Sequence, residues 1–528
     1  MSSDDKDARF EAAVTAMTLP ENRFDVTIIC TTDDHQAEFW MSKLNVASAE
    51  EQFPMVLAVS EDWGGSGAGN GLGTLYAWKK ARNFAKEKFE VDLQALLGEG
   101  KISASLYHTA GKGTRMAPLP ASENNNKPGV KLPFLRHATG KALTVLEAVV
   151  QQTGIYAPSR KGRLSVFWGD QVFLPSVEFK YSPTHHIDIM CTLLGNSAPT
   201  AEEWSAQGLE KYGVIAVLKG DDDSVAEAAQ VEKVDHATAT KMLEQLGTIG
   251  QVGPSLGSFS VSAAILSALL EEYSSELAEK TAKFDTDPHF WMPLTLSEQD
   301  YVALMSQKEI EEAESRAHYN RMKAFNEKFD RAGMGLFGAV DVGKDACWWD
   351  YGQLKLYSKN SLLLLEDSNP ESTLLRKFLS IEHGPVTAEG TLTMNHSYAF
   401  ASKLEKGSLK DSLVCEVTTK EISADGAIIV NCVAPKITAG KGCILYNLMS
   451  EQEIIAEEGQ VMVAVTDESG DSFVLKSRMD IDGGKAWKEI VEGNTLSFED
   501  VHKNNKDAKI TSISAARESK YQALASSL

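Results

Sequence analysis

The stretch Tyr107-His-Thr-Ala-Gly-Lys-Gly-Thr-Arg-Met-Ala-Pro-Leu119 joins a glycine-rich turn to an arginine, and Lys127 and Lys131 follow within sixteen residues of it. Glycines let backbone amides close on a polyphosphate, because no Cβ stands between chain and ligand. Arg115, Lys127 and Lys131 can neutralise charge that an amide cradle alone cannot. The pattern predicts a triphosphate loop, with Ala110, Gly111, Lys112, Gly113 and Thr114 as nucleotide-binding residues. It is not a Walker loop, since none of the Gly-Lys pairs is followed by Ser or Thr.

A second glycine-rich stretch, Glu61 to Trp78, follows the apolar run Met55 to Ser60. Strand, loop and helix in that order suggest an anion-binding turn at a helix N-terminus. Gly71, Gly73 and Thr74 are its candidate nucleotide contacts; a flexible linker is the alternative. The Gly-x-Gly-x-x-Gly register of a dinucleotide fold is absent from 64–73, which argues against a nicotinamide-dependent oxidoreductase. Asp170 follows the apolar run Arg163 to Trp168, on the ligand edge of an open α/β sheet, where a carboxylate can bind a hard cation. An aspartate after glycine also caps turns, and the residues alone leave both readings open.

The elements that must position these groups are legible as periodic runs. Phe24 to Cys30, Met55 to Ser60, Ala104 to Tyr107, Arg163 to Trp168, His186 to Leu194 and Tyr212 to Val217 read as strands. Asp33 to Leu44, Leu143 to Gln152, 261–282 and 296–331 read as helices, which makes the front of the chain α/β. Asp221-Asp-Asp223 reads as an exposed turn, and Asp285 and Asp287 as turn residues with a phosphate-site role as the alternative. Beyond about residue 375 short β-rich runs recur, among them Leu413 to Thr419, Ala427 to Ala434, Cys443 to Met449 and Val461 to Val465. That spacing suits a β-solenoid or a sandwich. Asn494 to Leu528 reads as a polar helical tail suited to a subunit contact.

With 528 residues, 43% apolar and 24% charged, the chain can hold two or three domains with large cores. A net charge of −22 disfavours nucleic acid and anionic membranes as partners. Six cysteines without a Cys-x-x-Cys pair suit reduced core thiols. Met1-Ser-Ser-Asp-Asp lacks a signal-peptide core, and no apolar run approaches membrane-spanning length. The expected location is cytoplasmic, or a plastid if a transit peptide has been removed.

Gly111, Gly113, Thr114, Arg115, Pro118, Leu119, Lys127 and Pro128 together resemble the signature of sugar-1-phosphate nucleotidylyltransferases, with Ala110 in place of its first glycine. The front half, with Gly-Asn-Gly-Leu-Gly-Thr-Leu before His108-x-Ala-Gly, looks like the layout of GDP-fucose pyrophosphorylases. The Thr-Arg-Met-x-Pro-Leu and Lys-Pro portion is closer to the UDP-glucose and ADP-glucose type. Cys347-Trp-Trp-Asp350-Tyr-Gly-Gln353 is similar to the Trp-x-Asp-x-Gly-Thr pattern that closes the catalytic domain in this superfamily.

The resemblance implies a Rossmann-like catalytic domain over 1–370 and a C-terminal domain over 371–528, built as a left-handed β-helix. It implies Mg²⁺ held by Asp170 and Asp350, with Arg115 and Lys127 as catalytic cations. Tyr212, Gly213, Glu232, Lys233 and Gly257 would bind the sugar phosphate, with Ser255 where the family has asparagine. The implied reaction is NTP plus sugar 1-phosphate giving NDP-sugar and pyrophosphate. UTP with glucose 1-phosphate is the first expectation and GTP with fucose 1-phosphate the second. A non-catalytic sensor of nucleotide-sugars is the rival from another class.

Overall fold

The computed structural model describes residues 3–44, 53–64, 67–136, 139–195, 197–219, 226–244, 247–381, 386–388 and 391–528. Asp221 to Asp223, expected as a turn, lie outside the described residues, as do Gly65 and Ser66 of the first glycine-rich stretch.

The strands of the front part are β1 (Val26–Thr31), β2 (Met55–Ser60), β3 (Ala104–His108), β4 (Lys131–Arg136), β5 (Lys141–Thr144), β6 (Arg163–Trp168) and β7 (Gln171–Leu174). They continue as β8 (His185–Cys191), β9 (Gly213–Leu218), β10 (Ala228–Glu232), β11 (Ile249–Ser262), β12 (Gly335–Asp341) and β13 (Cys347–Asp350). Nine of them form one sheet in the order β10-β9-β11-β6-β3-β1-β2, with β8 beside β11 and β12 beside β8. The run β2-β1-β3-β6 is parallel, as is β8 with β12. β11 enters antiparallel, and β9 and β10 extend the sheet antiparallel. β4 pairs with β5, and β7 with β13, in two small ladders.

The parallel centre follows from composition. Every residue of β1 is buried, as expected where helices cover both faces of a sheet. Val26, Ile28 and Cys30 enter one core and Ile29 the other, the period of two that a strand imposes. Helix Val145–Thr153 starts at a Thr144–Glu147 capping box, which satisfies two otherwise unpaired backbone donors. The helical patterns at 261–282 and 296–331 each divide in two, Ala263–Glu272 with Ser274–Glu279 and Glu298–Ser306 with Glu312–Lys328.

The C-terminal region forms a second β-rich sheet. Its strands are β14 (Val386–Ala388), β15 (Leu392–Phe400), β16 (Lys403–Lys410), β17 (Leu413–Asp425), β18 (Ile428–Val433), β19 (Lys436–Ala439), β20 (Ile444–Tyr446), β21 (Ile454–Ala456), β22 (Gln460–Thr466) and β23 (Ser472–Arg478). Pairing from β15 to β22 is parallel and advances by nearly constant steps. Tyr398 lies opposite Leu413, Leu413 opposite Ile428, Ile428 opposite Ile444 and Ile444 opposite Val461. A second ladder steps from Leu392 through Gly407, Ile422 and Ile437 to Ile454.

The two sheets share a core. Met116, Val130 and Phe134 from the segment after the first turn pack in one cluster with Leu413, Ile428, Tyr446 and Val463. The tail also folds back, as helices Phe498–Asn504 and Ile510–Ser527, and Arg517 reaches Glu123. All six cysteines are free and buried. No helix of the described residues is long and apolar enough to cross a membrane.

Candidate active site at the sheet edge

Asp170 and Asp350 arrive at one place from opposite strands of the β7–β13 ladder, where Asp350 lies opposite Gln171 and the Tyr351 amide donates to the Asp170 carbonyl at 2.9 Å. The Gly352 amide donates to Asp350 Oδ1 at 2.6 Å, and Asn360 Nδ2 to the Asp350 carbonyl at 2.7 Å. A Cβ on Gly352 would stand 2.8 Å from Asp170 Oδ2 and 3.0 Å from Asp350 Oδ1. The two carboxylates therefore flank a single point that only glycine leaves clear. Lys127 Nζ bonds Asp170 Oδ2 at 2.5 Å. Burial and the neighbouring Asp170 raise the Asp350 carboxyl above the ordinary aspartate range, with Arg115 and Lys127 acting in the opposite direction. The structure thus brings Lys127, Asp170 and Asp350 together across more than two hundred residues of chain, with the exposed Arg115 acting on Asp350 through its charge.

The turn beside them is open. Ala110, Gly111 and Lys112 are exposed, as is Arg115, and Gly113 and Thr114 are partly so. Gly111 and Gly113 have φ of 132° and 64°, in the left-handed half of the map that favours glycine. Among the described residues, no group accepts from the backbone N–H groups of Ala110 to Arg115. A Cβ on Gly113 would press on Pro120 Cγ at 3.0 Å and the Lys127 stem at 3.3 Å, so turn and lysine are packed as one unit. The base is tied down where Thr109 N–H and Oγ1 both donate to the Cys30 carbonyl, at 3.1 and 2.9 Å. From the C-terminal region, Gly483 packs so closely that a Cβ there would come within 2.5 Å of the Thr114 carbonyl.

Two expectations are corrected here. Lys131 is not a third cation of the turn. It lies partly buried against the second sheet, bonded to Glu123 Oε1 at 2.6 Å and Asn447 Oδ1 at 3.1 Å. The first glycine-rich stretch is not an open anion site either. At the start of helix Gly69–Phe89, the amides of Gly71 and Leu72 donate to the Phe284 carbonyl at 2.9 and 3.1 Å, and that of Asn70 to Asp285 Oδ1 at 3.2 Å. The Ala68 amide donates to Glu61 Oε1 at 3.2 Å. Four of the donors at this helix end, those of Ala68, Asn70, Gly71 and Leu72, are thus already satisfied by the chain. Gly71, Gly73 and Thr74 are buried, and a Cβ on Gly71 would meet the Phe284 ring at 2.3 Å. Their assignment as nucleotide contacts has no open surface to rest on. Thr74 instead supports the turn from below, its Oγ1 2.9 Å from His108 Nε2.

Of the expected sugar-phosphate residues, Tyr212, Gly213, Glu232 and Lys233 gather at the paired ends of β9 and β10. A Cβ on Gly213 would stand 2.6 Å from Glu232 Oε2 and 3.6 Å from Ser255 Cβ. Lys233 Nζ pairs with Glu232 Oε1 at 2.9 Å. Gly257 lies on the side of the carboxylates: with φ of 74°, its Cβ would come within 2.5 Å of Trp168 Nε1, two residues before Asp170. Its amide donates to Ser255 Oγ at 3.1 Å, which links the two groups along β11. Asp287, read from the sequence as a turn residue with a phosphate-site role as the alternative, lies beside this group. It accepts from Gln230 Nε2 at 2.7 Å, and burial together with Glu232 pushes its carboxyl up to about 6. Nothing in Asp285-Thr-Asp287-Pro distinguishes it from a turn until β10 is placed beside it.

The chain matches no family model and no curated protein.

Proposed function

We propose that this chain is a sugar-1-phosphate nucleotidylyltransferase, acting first on UTP and glucose 1-phosphate, with GTP and fucose 1-phosphate the second pairing. The observation that carries the reading is the meeting of Asp170, Asp350 and Lys127, with the charge of Arg115 acting on Asp350, beside a turn whose amides have no partner among the described residues. A polyanionic substrate needs these parts: donors without partners, fixed cations and a pair of hard-oxygen ligands. We read the first sheet as Rossmann-like and the second as a β-helix.

In the proposed reaction a sugar phosphate oxygen attacks the α-phosphorus in line. The bond from that phosphorus to the bridging oxygen breaks, and pyrophosphate leaves with the electron pair. The attacking oxygen is already anionic at neutral pH, so no general base is needed. The chain's work is positioning and charge neutralisation. The amides of Ala110 to Thr114 take the terminal phosphates, Arg115 faces the departing pyrophosphate, and Lys127 holds charge at the reacting centre. Glu232 accepts from sugar hydroxyls, which frees Lys233 from its present partner to meet the sugar phosphate.

Asp170 and Asp350 fit Mg²⁺ by donor type, and the repulsion that raises the Asp350 carboxyl is what a shared dication relieves. Bound there, Mg²⁺ would supply charge neutralisation and orientation of phosphate oxygens.

Four NTPs against several sugar 1-phosphates, with pyrophosphate as readout, test the proposal. One pairing is expected to dominate, and silence in every combination that binds would favour the sensor. Gly352→Ala provides a finer check, because its methyl group fills the point between the carboxylates. We expect a loss of turnover of ~100-fold or more, the scale of a lost preorganised group, with the melting temperature little changed. Unaltered turnover would contradict the shared point.

A further inference from the structure

Cys30, Glu61 and His108 stand at the ends of three adjacent strands, β1, β2 and β3, and the transfer chemistry uses none of them. Cys30 lies opposite His108 in the β1–β3 register. One donor atom from each side chain, sulfur, carboxylate oxygen and ring nitrogen, lies within 4.8 Å of the others. Cys30 Sγ donates to Glu61 Oε2 over 3.9 Å. The space between carboxylate and imidazole is kept clear by Gly73, where a Cβ would stand 2.8 Å from Glu61 Oε2 and 3.4 Å from His108 Cε1.

Each of the three is also oriented from behind. The Ala68 amide holds Glu61 Oε1 at 3.2 Å. The Thr74 hydroxyl, anchored on the Asn70 carbonyl at 2.7 Å, holds His108 Nε2 at 2.9 Å. Strand pairing fixes Cys30. Partners of this kind set the direction and basicity of metal ligands.

We propose that Cys30, Glu61 and His108 bind one transition-metal cation of the Zn²⁺ class, leaving its fourth position open. Thiolate and imidazole select such an ion against Mg²⁺, which takes oxygen ligands in an octahedron. Three protein ligands with an open fourth position is a familiar arrangement for zinc. Bonds of ~2.0–2.3 Å place tetrahedral ligand atoms roughly 3.3–3.8 Å apart. Closing the site therefore needs about 1 Å of side-chain movement. On binding, the Cys30 sulfur–hydrogen bond breaks. The sulfur keeps the electron pair and gives it to the cation, and the proton leaves to solvent. The Asp170–Asp350 pair offers oxygen alone, so ligand chemistry sorts the two cations.

The test is a titration of the full-length, chelator-treated protein with Co²⁺. One equivalent is expected to develop thiolate-to-cobalt charge-transfer absorption, which Zn²⁺ abolishes by displacement. Cys30→Ser should remove it and Cys432→Ser should not. Glu61→Gln should retain it while binding at least ~10-fold more weakly. Zn²⁺ should also raise the wild-type melting temperature, and less so in Glu61→Gln, a readout that needs no folded Cys30 variant. Absence of the absorption in the wild type, its survival in Cys30→Ser, or a Zn²⁺ effect on melting that ignores Glu61 overturns the site. None of these readouts involves pyrophosphate release, so failure here leaves the transferase proposal standing.

Discussion

Asp170→Asn and Asp350→Asn are each expected to lower pyrophosphate release by ~100-fold or more, the scale seen when one preorganised charged group is lost. The expectation rests on position, since a Cβ on Gly352 would touch both carboxylates. Asparagine keeps shape and size, so folding should survive. The Lys127–Asp170 pair is partly solvent-accessible, and its loss should cost stability about 1 kcal/mol at most. Lys127→Ala should act mainly on kcat, because the lysine sits on the Asp170 carboxylate, which the proposal puts at the reacting centre; a change confined to nucleotide affinity would remove it from that role.

The same geometry sets a pH dependence. The Asp350 carboxyl is held above its ordinary value, so it takes up a proton at higher pH than a free aspartate. If Asp350 holds Mg²⁺ as proposed, proton and cation compete for it. Turnover should fall on the acid side, and that limb should move to lower pH as Mg²⁺ concentration rises. A limb indifferent to Mg²⁺ would show that Asp350 does not hold the ion.

Glu123→Gln is the second large effect, and it falls on stability. Glu123 is 4% exposed and lies where the segment after the Ala110 to Thr114 turn meets the second sheet. It accepts from Lys131 Nζ and the Tyr446 hydroxyl at 2.6 Å each, Asn447 Nδ2 at 2.9 Å and Arg517 Nη1 at 3.3 Å. Burial alone would raise its carboxyl, but Arg517 and Lys131 overcome this and hold it at about 2. Burial acts on Lys131 too and lowers its own pKa, so the network gains less than the Glu123 shift alone would suggest. Removing the one anion leaves the buried Arg517 and the partly buried Lys131 without it, a loss of about 3 kcal/mol. Because the folded carboxyl lies below its ordinary value, this stabilisation is complete above about pH 4.5 and is lost as pH falls toward 2. Urea melts of wild type and Glu123→Gln should differ at neutral pH and converge on acidification. Equal stability at neutral pH would show the network to be dispensable.

What the sequence made legible was local. Apolar runs marked β1, β2, β3 and β6 almost to the residue, because strands buried on both faces admit few polar positions. The cations and carboxylates were legible as residue types at strand ends. What failed was distant in the chain. The first glycine-rich helix looked like an anion site because the groups that cap it, Phe284 and Asp285, lie more than two hundred residues away. Lys131 looked free because Asn447 and Tyr446 reach it only once the second sheet has docked. The apolar runs of that region left a solenoid and a sandwich both open, because the register appears only in its ladders, which advance by fifteen to seventeen residues.

Mn²⁺ in place of Mg²⁺ gives the most direct measurement of the central claim, through water-proton relaxation in wild type, in each single variant and in Asp170→Asn/Asp350→Asn, at saturating nucleotide. One ion is expected to bind the wild type, and each single substitution should weaken it about as much as the double, as for two ligands of one cation. Binding that persists unchanged in the double variant, or losses that simply add, would contradict a shared site.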